Sequence, residues 1–304
     1  MTQSSPSFDS NLRATVIGGL AVLLWALLAL FTTWARDIPP FQLLGMTFSV
    51  AFLVSCVYWF FRGRNALENL RQGPRVWMLG VGGLFGYHLF YFIALGNAPA
   101  VEASLIAYLW PLLIVVFSSL LPGERLRWFH VAGALMGLAG AALLVTRGGA
   151  VSFDATYSIG YMAAAVCALI WSGYSVTNRV FGAVPTDVVG GFCGVVAVLG
   201  IFCHLVFEQT VVPDAVQLLA CLALGLGPVG AAFFVWDYGT KHGNIQVLGA
   251  FSYMAPLLST LILIAFGRAE ATWFVGVACL LIVLGALVAS SDMIRRRSVR
   301  RGTT

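Results

Sequence analysis

Side chains that could do chemistry are few in this sequence, and most of them lie inside apolar runs. They are aromatic rings, hydroxyls, an amide, an imidazole and a carboxylate, so we expect no catalytic residue and no metal site. Such a set suits non-covalent binding, because aromatic rings stack on flat groups and attract cations while hydroxyls and imidazoles exchange hydrogen bonds. The candidate substrate-binding residues are Tyr87, His88, Tyr91, Glu102, Tyr108, Trp110, Pro111, Trp171, Tyr174, Asn178, Tyr253 and Pro256.

Two titratable members of this set, Glu102 and His88, each have two open interpretations. Glu102 lies about one turn into its apolar run, where the positive end of a helix dipole stabilises a carboxylate. Alternatively, Glu102 meets a substrate ammonium or a proton. His88 is either a packed histidine or a hydrogen-bonding group in a cavity that titrates near neutral pH. Asp237 is expected at the membrane interface, and no lysine or arginine is expected within a membrane span.

One helix face combines aromatic and polar side chains. Trp171, Tyr174, Ser175 and Asn178 follow one another at positions i, i+3, i+4 and i+7, so they share one side of a helix. A face of this mixed composition does not suit lipid. It indicates either a cavity lining, which we favour, or a polar seam between helices.

The stretch around Trp110 and Pro111 indicates a site near the bilayer centre. Trp110 lies eight residues beyond Glu102, which is about 12 Å along a helix. Membrane tryptophans usually belong to the interfacial belts, so a central tryptophan beside a proline favours a site lining. Tyr108 lies about 200° from Trp110 on an ideal helix. Both can face one cavity only if a kink at Pro111 rotates the turn between them.

The composition predicts an all-α integral membrane protein. The chain is 60% hydrophobic and 10% charged, and its mean hydropathy is +0.92. A soluble chain of this length could not bury that much apolar surface. No P-loop, HExxH or GxSxG motif is present, which argues against ATP hydrolysis and a membrane hydrolase. Ten apolar segments, each about long enough to cross a bilayer, cover 14–35, 40–61, 75–96, 101–121, 128–146, 157–178, 185–207, 215–236, 246–266 and 272–294.

The ten segments form two copies of one five-helix unit. The second copy repeats the first at an offset of 145 residues: Tyr108 matches Tyr253, and Pro111 matches Pro256. Trp25 likewise matches Trp171 at an offset of 146. Five is an odd number, so the second copy enters the membrane from the opposite side. The sequence therefore predicts inverted-topology repeats over 14–146 and 157–294, an arrangement typical of alternating-access transporters.

The positions of lysine and arginine predict that both termini are cytoplasmic. With that orientation, 14 of the 17 basic residues, including Lys241 in a loop, lie on the cytoplasmic side. The tails are then a polar segment at 1–13 and a basic segment at 295–304. The basic cluster from Arg295 to Arg301 suits anionic lipid headgroups. The net charge of +5 is therefore no sign of nucleic-acid binding.

These features together resemble a known transporter family. The ten helices, the inverted copies, and the prolines in helices 4 and 9 resemble the EamA-type transporters of the drug/metabolite transporter superfamily. Within it, the stretch from Asn97 to Leu113 is similar to that of bacterial aromatic amino acid exporters. The resemblance implies an inner-membrane exporter with a central cavity between its halves. The cavity residues that it implies are Tyr87, His88, Tyr108, Trp110, Pro111 and Trp171.

We therefore expect an inner-membrane carrier that exports aromatic and other neutral amino acids by alternating access. An exporter of aromatic cations or drugs is the alternative, and Glu102 would then dominate binding. A membrane acyl- or methyltransferase would need a cluster of His, Asp or Cys that the sequence lacks, and the internal repeat favours a carrier over a channel. The expected partners are an amino acid substrate and the lipid bilayer, without nucleic acid or cofactor, and a monomer is the simplest assembly.

Overall fold

The computed structural model describes residues 8–63 and 67–292, and this part of the chain is helical with no strand. The predicted basic tail lies outside the described residues. Nine described helices are long and apolar enough to cross a membrane, and a tenth apolar helix has 17 residues. They are α1 (Asp9–Trp34), α2 (Pro40–Arg62), α3 (Pro74–Asn97), α4 (Ala100–Leu120), α5 (Trp128–Val145), α6 (Ala155–Phe181), α7 (Val188–Phe207), α8 (Ala215–His242), α9 (Ile245–Ala265) and α10 (Trp273–Ala289).

Local sequence explains where several helices begin. Pro40 and Pro74 occupy the first turns of α2 and α3, where a missing N–H leaves no bond unmade. The Asp214 carboxylate caps α8 by accepting a hydrogen bond from the Gln217 N–H. The Asn244 side chain caps α9 in the same way. The described residues form a helix at each of the ten predicted segments, but some bounds differ. Helix α1 begins at Asp9 instead of 14, α8 continues to His242 instead of ending at 236, and α10 ends at Ala289 instead of 294.

Two repeat-related helices, α4 and α9, are broken near their centres. The first part of α4 ends at Ala107 and the second begins at Trp110. The first part of α9 ends at Phe251 and the second begins at Met254. Each break precedes a proline, which cannot donate the backbone hydrogen bond that would continue the helix. The predicted kink at Pro111 is therefore confirmed, as a break just before the proline.

Helix packing follows the same pattern in both halves of the chain. Helix α1 packs on α8 as α3 packs on α6, and α9 packs on α1 as α4 packs on α6. The remaining large contacts join α2 to α7 and α5 to α10. If each helix is replaced by its equivalent in the other repeat, five helices away along the chain, the same set of contacts is obtained.

The α5–α10 contact depends on glycine, and this gives a first prediction. A Cβ on Gly133 would lie 2.4 Å from the carbonyl oxygen of Gly285, whereas a Cβ on Gly276 would meet nothing within 4 Å. Gly133→Ala is expected to destabilise the protein by about 1–3 kcal/mol, because overpacking forces the helices apart. Gly276→Ala, on the same helix pair, is the control. Thermal unfolding in detergent should show a lower Tm for Gly133→Ala alone, and equal losses would contradict the close-packing explanation.

Candidate functional site

Four tryptophans from four helices meet at the centre of the bundle. Trp25 of α1 lies 5.0 Å from Trp236 of α8, 5.8 Å from Trp171 of α6 and 6.1 Å from Trp110 of α4, measured between ring centroids. Trp110, Trp171 and Trp236 are buried, and Trp25 is half-buried. We call these residues the tryptophan cluster. The break in α4 lets Trp110 begin a new helical segment whose first side chain joins this cluster.

Three neighbouring side chains of α3 border the tryptophan cluster. The Tyr87 ring lies 5.5 Å from Trp171 and is stacked on Tyr91 at 5.9 Å. The His88 ring contacts Phe48 at 5.5 Å and Phe233 at 6.5 Å. His88 Nδ1 lies 2.7 Å from the Leu84 carbonyl oxygen. Because a carbonyl only accepts, Nδ1 carries the proton, and Nε2 of the neutral ring can accept a hydrogen bond.

The α3 side chains remain partly accessible although they lie among interior rings, and Tyr108 of α4 is also partly accessible. Tyr87, His88, Tyr91 and Tyr108 are all half-buried. The accessible groups here are therefore phenolic hydroxyls, an imidazole nitrogen and aromatic faces, and all of them can bind a small molecule without covalent chemistry.

A second polar centre lies where α6 and α8 end. The Asp237 carboxylate accepts hydrogen bonds from the Asn178 amide at 2.9 Å, the Thr186 hydroxyl at 2.7 Å and the Lys241 ammonium at 2.9 Å. Asn178 also donates to the Thr240 hydroxyl at 3.1 Å. Asp237 and Thr240 are 0% exposed, and Lys241 is 7% exposed. We call these five residues the buried ion-pair network.

This network corrects two expectations from the sequence. Asp237 lies near the end of α8, as the sequence predicts, and its side chain is buried in the protein. Lys241 is the second-last residue of α8 rather than part of a loop, so a buried lysine does lie in a spanning helix. The carboxylate and ammonium each offset the other's desolvation, which is why both charges can be buried there.

Arg179 extends the connection to two neighbouring loops. Its guanidinium pairs with the Glu124 carboxylate at 2.6 Å. It also donates to the backbone carbonyls of Thr240 at 3.1 Å and Gly243 at 2.6 Å. These bonds join the end of α6 to the end of α8, the turn before α9 and the loop between α4 and α5. At this end of the bundle, polar bonds therefore connect α6, α8 and the two loops.

The structure brings only part of the predicted site set together. Around the tryptophan cluster it places Tyr87, His88, Tyr91, Tyr108, Trp110, Trp171 and Tyr174, with Pro111 beside Trp110 at the start of the second α4 segment. Ser175 accepts a hydrogen bond from Trp236 at 3.0 Å, and Asn178 belongs to the buried ion-pair network. The polar part of this α6 face is therefore a seam between helices, which was the second of the two interpretations.

Three predicted residues lie away from the cluster. Glu102 is half-buried in the first turn of α4, and its Oε2 is buried with no hydrogen-bond partner among the described residues. Tyr253 is 0% exposed and hydrogen-bonds the backbone of α4. Pro256 is buried in the second segment of α9.

Sequence reasoning missed part of the aromatic cluster. Trp25, Trp236 and Phe233 contact Trp171 with centroid distances of 5.8, 6.3 and 5.8 Å. The internal repeat was the signal that could have identified them. Trp25 is the repeat equivalent of Trp171, and at the 145-residue offset Trp236 and Phe233 correspond to Tyr91 and His88.

Comparison with known proteins now identifies the class. Residues 13–146 and 158–291 each match the EamA-like transporter family, and the chain belongs to that family. It is 53% identical to a protein named aromatic amino acid exporter YddG from Ancylobacter novellus, over 92% of this chain and 98% of that one. The protein of the same name from Salmonella typhimurium is 26% identical, over 82% of this chain and 86% of the relative.

A solved crystal structure agrees with the same architecture. It shares 52% sequence identity and superimposes with a TM-score of 0.89, covering 93% of this chain and 98% of its own. The protein is thus a multi-pass membrane transporter built from two repeats, and not an enzyme. The expectations of an all-α membrane fold and of EamA-type membership are confirmed.

Proposed function

We propose that this transporter exports aromatic and other neutral amino acids across the bacterial inner membrane. The observation that carries the proposal is the tryptophan cluster, bordered by the accessible side chains of Tyr87, His88, Tyr91 and Tyr108. The names of the two relatives, both aromatic amino acid exporters, support the same substrate class.

The chemistry of these side chains fits a zwitterion with a flat side chain. The substrate ring stacks on Trp110 or Trp171. Its ammonium lies against tyrosine faces and donates to His88 Nε2. Its carboxylate accepts hydrogen bonds from the tyrosine hydroxyls. A site without formal charges binds weakly and broadly, and this suits a carrier that releases several related amino acids.

The transport cycle is alternating access between two inverted five-helix repeats, 14–146 and 157–294. The symmetric packing of the helices supports this proposal. Each large helix contact in one half has a counterpart in the other, so both halves can undergo equivalent motions. Rocking of one half against the other would expose the aromatic site to each side in turn. The breaks before Pro111 and Pro256 would let the central helices bend during that motion.

The buried ion-pair network supports a proposal about the access state. The excess of lysine and arginine in the sequence favours a cytoplasmic location for this end of the bundle and for both termini. The described conformation is then closed to the cytoplasm. At the opposite end the repeat equivalents of Asn178, Asp237 and Lys241 are a threonine, a phenylalanine and a glycine: Thr32, Phe92 and Gly96. No ion pair can form from those three residues, so this network has no counterpart at the equivalent positions of the first repeat.

Glu102→Gln separates the amino acid proposal from its alternative. A zwitterion needs no additional anion, so the variant should retain phenylalanine counterflow in proteoliposomes within about threefold of wild type. An exporter of aromatic cations would lose activity, because Glu102, the carboxylate that this alternative assigns to the substrate cation, would be neutral.

Competition in the same assay supplies the matched control. Phenethylamine lacks the carboxylate of phenylalanine, and phenylpropionate lacks its ammonium. Under our proposal, neither compound competes as well as unlabelled phenylalanine. Strong inhibition by phenethylamine, together with loss of activity in Glu102→Gln, would favour the cation exporter instead.

A further inference from the structure

We propose that the Tyr253 hydroxyl is a positioning group for the substrate site: it holds the break in α4 in the geometry that presents Trp110. The inference rests on the proposed function, since it assumes that Trp110 contacts substrate. Tyr253 belongs to α9, in the other half of the protein, so it would also join the two repeats at the site.

The hydroxyl lies inside a gap in the α4 backbone ladder. Tyr253 Oη accepts a hydrogen bond from the Leu112 N–H at 3.2 Å and donates one to the Tyr108 carbonyl at 3.2 Å. In a regular helix the Leu112 N–H would bond directly to the Tyr108 carbonyl, four residues earlier. The hydroxyl therefore replaces that single bond with two and satisfies both groups in an apolar setting.

The residues spanned by this bridge are those that aim Trp110. The break at Tyr108 and Leu109 separates the two α4 segments, and Trp110 is the first residue of the second segment. Closing the gap to form a direct bond would wind this turn further. The Trp110 ring, which lies 6.1 Å from Trp25 and 6.3 Å from Trp171, would then rotate relative to both.

The Tyr253 ring is fixed by packing, so its hydroxyl cannot easily withdraw. The side chain is 0% exposed. On α5, a Cβ added to Gly137 would lie 2.4 Å from the ring, so this glycine provides the room that the ring fills. A fixed ring makes the hydroxyl a rigid spacer in α4.

The repeat partner of Tyr253 has a different role. Tyr108 occupies the equivalent position in the first repeat, yet it is half-buried and its hydroxyl has no hydrogen-bond partner among the described residues. One tyrosine of the pair thus faces the accessible region while the other supports the backbone behind it. The two repeats share one backbone arrangement, but an amino acid is not symmetric. Equivalent positions in the two repeats therefore need different roles at the substrate site.

Tyr253→Phe tests the bridge because it removes the hydroxyl and keeps the ring. We expect the KM for phenylalanine counterflow to rise about tenfold with little change in maximal rate. Hydrogen exchange, followed by mass spectrometry on peptides that contain Leu112, should change without any substrate present. Tyr161→Phe is the control, since the Tyr161 hydroxyl is buried and has no partner among the described residues.

The outcomes separate the positioning role from the proposed function. Altered exchange at Leu112 and a raised KM in Tyr253→Phe, with Tyr161→Phe unchanged in both, support the inference. A lower Tm with unchanged KM would make Tyr253 a purely structural residue and overturn it. If the wild-type protein transports no amino acid, both the proposed function and the positioning role are wrong. If wild type and Tyr253→Phe transport phenylalanine with the same KM, only the positioning role is wrong.

Discussion

Trp171→Ala is expected to weaken phenylalanine counterflow strongly, mainly through a raised KM. Trp171 contacts Tyr87, Trp25 and Trp110, with ring centroids 5.5, 5.8 and 6.3 Å away. Its removal deletes a stacking surface and opens a void beside the others. Lost burial and ring contacts together correspond to about 2–4 kcal/mol, or a KM raised about 30-fold or more. Initial counterflow rates over a range of phenylalanine concentrations measure this change.

Two further variants control for general damage to the protein. Trp128 lies on α5 and is 79% exposed, so Trp128→Ala removes a tryptophan far from the cluster and should transport normally. Trp171→Phe keeps an aromatic face and should recover part of the activity. If Trp171→Ala is expressed normally and transports at the wild-type rate, Trp171 is not part of the site.

The second large effect is expected from Lys241→Met. The Asp237 carboxylate would then remain buried at 0% exposure without its cationic partner. Breaking one side of a buried ion pair costs about 3–5 kcal/mol, so the conformation closed at this end should lose much of its advantage. A single cysteine placed at Ser175, in a background without native cysteines, should react faster with a reagent added from the α6–α8 end. Counterflow should slow as well, because one access state becomes poorly populated.

Two variants are the controls for Lys241→Met. One also removes the charge of Asp237, and the other breaks an exposed ion pair. Adding Asp237→Asn removes the unpaired charge, so the double variant should lie closer to wild type than Lys241→Met does. Arg127 pairs with Asp292 at 2.8 Å, but its side chain is 49% exposed. Arg127→Gln should therefore shift stability by about 1 kcal/mol or less. Equal labelling rates in Lys241→Met and wild type would show that the network does not hold this end closed.

The sequence predicted the fold well because hydropathy and repetition are strong signals. Ten long apolar runs require ten helices, and Pro111 and Pro256 lack the donors that would keep α4 and α9 continuous. Trp110 was a site candidate from its depth and Trp171 from its helical periodicity, whereas Tyr87 was implied by the family resemblance. The break before Pro111 also explains how Tyr108 and Trp110, poorly aligned on an ideal helix, both lie in the central region.

The polar interior could not be predicted in the same way. A hydropathy window ends α8 near 236, because it scores Asp237 and Lys241 as solvated charges. Their burial depends on Asn178 and Thr186, which lie more than fifty residues away along the chain. Tyr253 presents the same difficulty: the repeat suggested a role like that of Tyr108, whereas the chain places its hydroxyl in the backbone of another helix.

Counterflow of labelled phenylalanine is the most direct test of the proposed export function. Purified protein is placed in liposomes loaded with unlabelled phenylalanine, and labelled phenylalanine is added outside, with and without a pH gradient. We predict a transient accumulation of label above equilibrium that does not require the gradient and is strongly reduced in Trp171→Ala. No accumulation with phenylalanine or with any other amino acid, from protein that is folded and inserted, would contradict the proposed function.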